Sequence, residues 1–133
     1  MIEEYNIASG DVSSLRKIEV ERLDLTGFEG QKSTIADVKQ IEVPSSYNKR
    51  GKQWCLKVLG QPVIVGNKSI VPSELFNLRE EEDGSVAGWH PNSNLQKFLE
   101  RTDACHPEQL PGSPIMLRVR KKNDQQFLGF VIA

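Results

Sequence analysis

Two period-two runs joined by a polar turn constrain the fold more than any other feature of this chain. KSTIADVKQIEVP covers residues 32–44 and KQWCLKVLG covers residues 52–60. Successive side chains of a strand point to opposite faces. In the second run Trp54, Leu56 and Val58 therefore share one face, and Gln53, Cys55 and Lys57 share the other. Asn48 and Gly51 supply turn formers between the runs, so the pair reads as a β-hairpin. The first run is less regular. Thr34, Ala36 and Val38 have one parity, Ile41 and Val43 have the other, and Ile35 does not fit the first set. A phase change at Lys39–Gln40 predicts a β-bulge and a sharp bend there. Pro44 ends the run.

The remaining elements are shorter. QPVIV and KSIV read as brief strands, and PSELFNL as one helical turn capped by Ser73, with Leu75 and Leu78 facing inward. EEEDGSVAGW reads as an acidic turn. HPNSNLQKFLERT carries the clearest helical pattern: Leu95, Phe98, Leu99 and Thr102 fall on one face, with Asn92 or Ser93 as the cap. HPEQLPG adds a turn and a stop at Pro111–Gly112. In PIMLRVRKK, Ile115, Leu117 and Val119 point one way and Met116, Arg118 and Arg120 the other. NDQQ then turns the chain into FLGFVIA, which is apolar on both faces. That strand calls for a cover on its outer side, either the N-terminal arm or a partner. Phe127 and Phe130 are both expected in the core.

A length of 133 residues suits one domain with one modest core. Residues 1–31 read as a partly ordered arm and 32–133 as the folded domain; KIEVERLDL within the arm fits a strand or a turn of helix equally. MIEEYNIASGDVSS lacks a basic start and an apolar stretch, and no segment is long and apolar enough to span a membrane. A soluble cytoplasmic protein is expected. Cys55 and Cys105 form no CxxC pair and read as reduced thiols. His90, Cys105 and His106 match no zinc spacing, and the EEED run reads as a solvated turn. No phosphate-cradling glycine loop or nucleophile elbow is present. The expectation is therefore a protein without enzymatic activity, cofactor or metal.

The order of long bent strand, hairpin, further β, the helix NSNLQKFLERT and the closing hairpin LPGSPIMLRVRKKNDQQFLGFVI resembles the OB-fold. Its ending, a helix followed by a Leu-Pro-Gly-x-Pro turn and a two-strand finish, is also similar to the small single-stranded DNA-binding proteins of phages and archaea. The resemblance covers about three quarters of the chain. It implies a mainly β fold, a five-stranded Greek-key barrel with one helix between the third and fourth strands. It also implies that the loop after the first strand and the loop after the fourth flank one ligand groove.

The charge map bears on the same two loops. The net charge is only −1, yet no Asp or Glu occurs from Val43 to Ser73, where Lys49, Arg50, Lys52, Lys57 and Lys68 lie. Arg118, Arg120, Lys121 and Lys122 form a second basic stretch. A single strand needs a cationic track for its phosphates and aromatic faces for its bases. The candidate binding residues are accordingly Tyr47, Lys49, Arg50, Lys52, Trp54, Arg118, Arg120, Lys121 and Lys122. Tyr47 is the preferred stacking platform, and Trp54 shares its face with core residues. The expected partner is single-stranded DNA, with RNA second, bound with little sequence dependence. The alternative is a protein-interaction or oligomerisation module acting through the last strand. A small-ligand barrel ranks third and requires a concave pocket.

Overall fold

The computed structural model describes residues 12–15 and 24–133. Most of the arm expected over 1–31, including residues 17–23 of its undecided segment, lies outside the described residues. Among the described residues the strands are β1 (Lys32–Pro44), β2 (Lys52–Gly60), β3 (Val63–Val65), β4 (Lys68–Ile70), β5 (Ser73–Asn77), β6 (Arg79–Glu80), β7 (Val86–Gly88), β8 (Pro114–Lys122) and β9 (Gln125–Ile132). The one α-helix among them, α1 (Asn94–Arg101), falls between β7 and β8. Five strands make one antiparallel sheet in the order β5-β2-β1-β8-β9, and β3–β4 and β6–β7 are separate hairpins. The fold is thus mainly β, and α1 lies between the third and fourth strands of the large sheet.

β1 serves two neighbours in succession. Lys32–Thr34 pair with β8, and the rest of the strand pairs with β2. The register slips between Ile35 and Asp37, so the extra residue is Ala36. The irregularity expected at Lys39–Gln40 is absent; Lys39 and Gln40 pair regularly with Lys57 and Leu56. The physical reason is the residue that broke the parity. Ile35 is 1% exposed and shares the main core with Val38, three positions on. A strand can turn both inward only by inserting one residue between them.

The second difference is PSELFNL, which is a strand rather than a helical turn. β5 pairs with β2 from Cys55↔Asn77 to Leu59↔Ser73. The competing period-two pattern won: Phe76 packs on the core, Leu78 is buried, and Leu75 is half exposed.

The main core joins Ile35, Leu56 and Val58 to Leu95, Phe98 and Leu99 of α1, with Ile115 and Phe130. α1 begins where expected: Ser93 Oγ accepts the Gln96 N–H at 3.2 Å. It ends at Thr102, before Asp103 in a left-handed conformation (φ 55°). Each fully buried aliphatic or aromatic side chain contributes about 1.5–3 kcal/mol. A second cluster holds Leu25, Phe28 and Leu117, with Val63, Val65 and Ile70 of the β3–β4 hairpin packed on it. Leu128 also joins it, and Leu25 N–H is accepted by Gln126 Oε1 at 2.7 Å. Residues just before β1 therefore cover part of β8–β9. Phe130 is core, as expected; Phe127 is 48% exposed and is not.

The edge strands β5 and β9 touch without a backbone ladder among the described residues. The Glu74 carboxylate spans the gap instead. Its Oε1 accepts the Phe130 N–H at 2.9 Å and also holds Arg120 Nη1. A Cβ at Gly129 would overlap that oxygen, so a larger residue there would have to displace the Glu74 carboxylate.

Candidate nucleic-acid interface

The turn from β1 to β2 is built from its own short side chains. Gly51 adopts φ 71°, and its N–H is donated to Asn48 O at 2.9 Å. Asn48 Oδ1 accepts the Arg50 N–H at 3.1 Å. The base of the loop is then tied to the acidic hairpin by one carboxylate. Glu80 accepts from Asn48 Nδ2 at 2.6 Å, Arg50 Nη2 at 2.5 Å and Trp54 N–H at 2.9 Å. Glu42 lies 3.8 Å from Arg50 Nη1 on the other side. The Trp54 N–H, followed by Asn48 and Arg50, holds the Glu80 carboxyl below the usual glutamate range. The Trp54 indole packs on the core and donates its N–H to Gly84 O at 3.1 Å.

The nine residues named from sequence divide by these contacts. Arg50 is held by Glu80 and Glu42, Arg118 by Glu29 at 2.9 Å, and Arg120 by Glu74. The Val119 N–H, then Arg118, holds the Glu29 carboxyl low. Trp54 is half buried. Tyr47 is fully exposed at the loop tip, and Lys49, Lys52 and Lys121 are exposed. Among the described residues no carboxylate lies within 4 Å of the Lys49 or Lys52 ammonium. Lys121 lies in the field of Asp24, and Lys68 Nζ is 3.4 Å from Asp24 O. Lys122 is the last residue of β8. Asn123 and Asp124 then turn the chain, both at positive φ (50° and 62°).

The carboxylates that hold Arg120 and Arg50 are anchored at different points along β2. Glu74, which holds Arg120, pairs across from Val58, and Glu80, which holds Arg50, contacts Trp54. Those positions are about 13 Å apart at the ~3.3 Å rise of a strand. Val58 and Trp54 belong to the inward face of β2; Cys55 and Lys57, between them in sequence, belong to the outward face. Register places Lys39, Lys57 and Leu75 in one row across β1, β2 and β5, and Ile41, Cys55 and Asn77 in the next. Cys55 is 2% exposed, its thiol 3.4 Å from Asn77 Oδ1 and pushed up by burial. Lys39 and Lys57 sit directly opposite each other, and among the described residues neither has a carboxylate within 4 Å.

Sequence reasoning put Lys57 on the outward face but gave it no binding role, and assigned Lys39 to the bulge. The signal was present. A hairpin that pairs Pro44 with Lys52 also pairs Lys39 with Lys57. Among the described residues no group of three or more His, Cys, Asp or Glu is placed to hold a metal, and both cysteines are free thiols. Among the described residues no helix is long and apolar enough to cross a membrane. Comparison with protein-family models, curated proteins and solved structures returns no match.

Proposed function

We propose that this protein is an OB-like single-stranded nucleic-acid-binding module. Its ligand would be DNA in preference to RNA, held on the outward face of β1, β2 and β5 with little sequence dependence. Two features support the OB-like part of the reading. Five strands enclose one helix between the third and fourth, and Glu74 draws the two edge strands together. The observation that carries the binding role is the Lys39–Lys57 pair. Like charges directly opposite on a sheet destabilise it by roughly 0.2–1 kcal/mol. A bound phosphate relieves that repulsion. Lys49, exposed in the turn beyond the strands, adds a further cation, and Tyr47 beside it offers a face for a base. The arginines are assigned to support of the surface rather than to phosphate, since each already bridges to a carboxylate that accepts a backbone N–H.

The test is fluorescence anisotropy of a labelled oligothymidine of about thirty nucleotides, titrated at several salt concentrations. Binding should weaken with salt, each phosphate-contacting lysine adding about 0.7 to the log–log slope. Lys39→Ala/Lys57→Ala should cut the slope by about 1.4. Arg50→Ala should leave it nearly unchanged. Absence of binding at low salt would end the nucleic-acid reading. A slope that follows Arg50 and ignores the lysine pair would move the site to the loop.

A further inference from the structure

Beyond Ile35, β1 has a partner strand on one side only among the described residues. β8 pairs with Lys32–Thr34, and Ile35 is still met by Gly112 and Ser113, its N–H going to Ser113 O and its C=O accepting from Gly112 N. From there residues 37–44 pair with β2 alone. Outside that ladder their backbone makes one further hydrogen bond among the described residues, from Val38 N–H to Asp37 Oδ1 at 2.8 Å. An unpaired strand edge is a template for another strand. The Ala36 bulge and Pro44 bound this one, so it can accept a short segment and cannot propagate.

A groove of about 550 Å³ lies against the inward face of the same strand. Val38 and Gln40 line one wall, Val86 and Trp89 a second, and Pro107 and Glu108 a third. Trp89 is fixed before any ligand arrives. Its indole N–H is donated to Gln96 Oε1 at 2.8 Å, and its ring meets His106 edge-on at 5.7 Å. A wall that does not reorganise costs little ordering on binding. The charge here is opposite to that of the outward face. Glu108 is 80% exposed and lies 3.7 Å from His106 Nδ1, and Glu42, which continues the face of Val38 and Gln40, lies 3.8 Å from Arg50 Nη1, a guanidinium it shares with Glu80. Asp37 is exposed at the start of the edge. An apolar groove with acidic surroundings repels phosphate and attracts cations.

We propose that residues 37–44 and this groove take up an extended peptide, added as a strand to β1. Its alternate side chains are apolar and enter the groove, and its flanks carry lysine or arginine. Main-chain pairing supplies affinity, and the groove and acidic rim supply selectivity. This partner site lies apart from the lysine face, and its test does not depend on nucleic-acid binding.

The experiment is an amide NMR titration of the full chain with an acetylated nonapeptide that alternates valine with lysine and threonine. Expected are shifts at the amides of residues 37–43 and at the Trp89 indole. Gln40→Lys/Glu108→Lys changes two exposed side chains and should weaken the peptide at least tenfold, leaving the rest of the spectrum in place. N-methylation of alternate peptide amides should abolish binding. The proposal is overturned by any of three results: no shift at millimolar peptide, equal binding of a version with glutamate for lysine, or shifts confined to other residues. It is also overturned if those amides of residues 37–43 that do not pair with β2 are already protected from exchange in the free protein. That result would mean that another part of the chain or a second copy fills the edge.

Discussion

The lysines of the outward sheet face and the arginines of its margins carry the same charge and do opposite work. Arg50, Arg118 and Arg120 each meet a carboxylate that also accepts a backbone N–H, from Trp54, Val119 and Phe130 respectively. Each arginine thus completes a bridge between distant segments. A planar guanidinium with several donors suits that role. Lys39, Lys49, Lys52 and Lys57 have no carboxylate within 4 Å among the described residues. An ammonium on a flexible stem suits a mobile polyanion. The difference teaches that a basic stretch in a sequence is not a unit of function. Its cations divide according to what the fold brings within reach.

The largest effect should come at the seam. Glu74→Ala leaves the Phe130 N–H without its acceptor and releases Arg120. Loss of a partner for a largely buried donor costs ~1–3 kcal/mol. A drop of about 2–3 kcal/mol in urea unfolding is expected. Arg120→Ala should cost no more than ~1 kcal/mol, since its side chain is half exposed and the Phe130 bond survives. If the two variants cost the same, the arginine rather than the carboxylate closes the seam, and the contrast with the lysines loses its clearest case.

A smaller effect should appear in acid. Glu80 and Glu29 have carboxyls held below their ordinary value. A carboxyl with a depressed folded-state pKa stabilises fully above its unfolded value, and that contribution is lost as pH falls through the folded one. The window therefore lies below the unperturbed glutamate value of about 4.3. The Trp54 environment should change there as Glu80 takes up a proton, and Glu80→Gln should remove that acid limb of Trp54 fluorescence. Amides near Lys39 and Lys57 should not follow the same transition. A common midpoint for both regions would erase the distinction between them.

The sequence made some of this legible and left the rest hidden, for identifiable reasons. α1 was readable because Leu95, Phe98 and Leu99 repeat at helical spacing behind a serine cap. The β1–β2 hairpin was readable from alternation and turn formers. The bulge was misplaced because Ile35 was treated as noise in a parity pattern, whereas it is the buried anchor that requires the extra residue. PSELFNL was misread because Leu75 and Leu78 also sit at helical spacing, and only pairing with β2 decides between the two periods. The candidate binding residues were read from charge runs. Arg50–Glu80, Arg118–Glu29 and Arg120–Glu74 join residues 30, 89 and 46 positions apart. No local pattern encodes such partners. The lysine row is likewise a product of register across two strands.

The smallest effect probes that register directly. Lys57→Glu places a carboxylate opposite Lys39, turning a repulsive cross-strand pair into an attractive one. A gain of a few tenths of a kcal/mol, at most ~1, is expected at low salt. Both side chains face solvent, so the gain should fade as the Debye length shrinks from about 10 Å at 0.1 M salt to about 3 Å at 1 M. The same variant should bind oligothymidine more weakly than Lys57→Ala does, because it adds repulsion where alanine only removes attraction. Higher stability with lower affinity is the signature of a surface whose repulsion is kept for a ligand. A variant that loses both would mean that Lys57 supports the sheet, as the arginines do. The division between cations that bridge and cations that bind would then fail at the pair on which the proposed function rests.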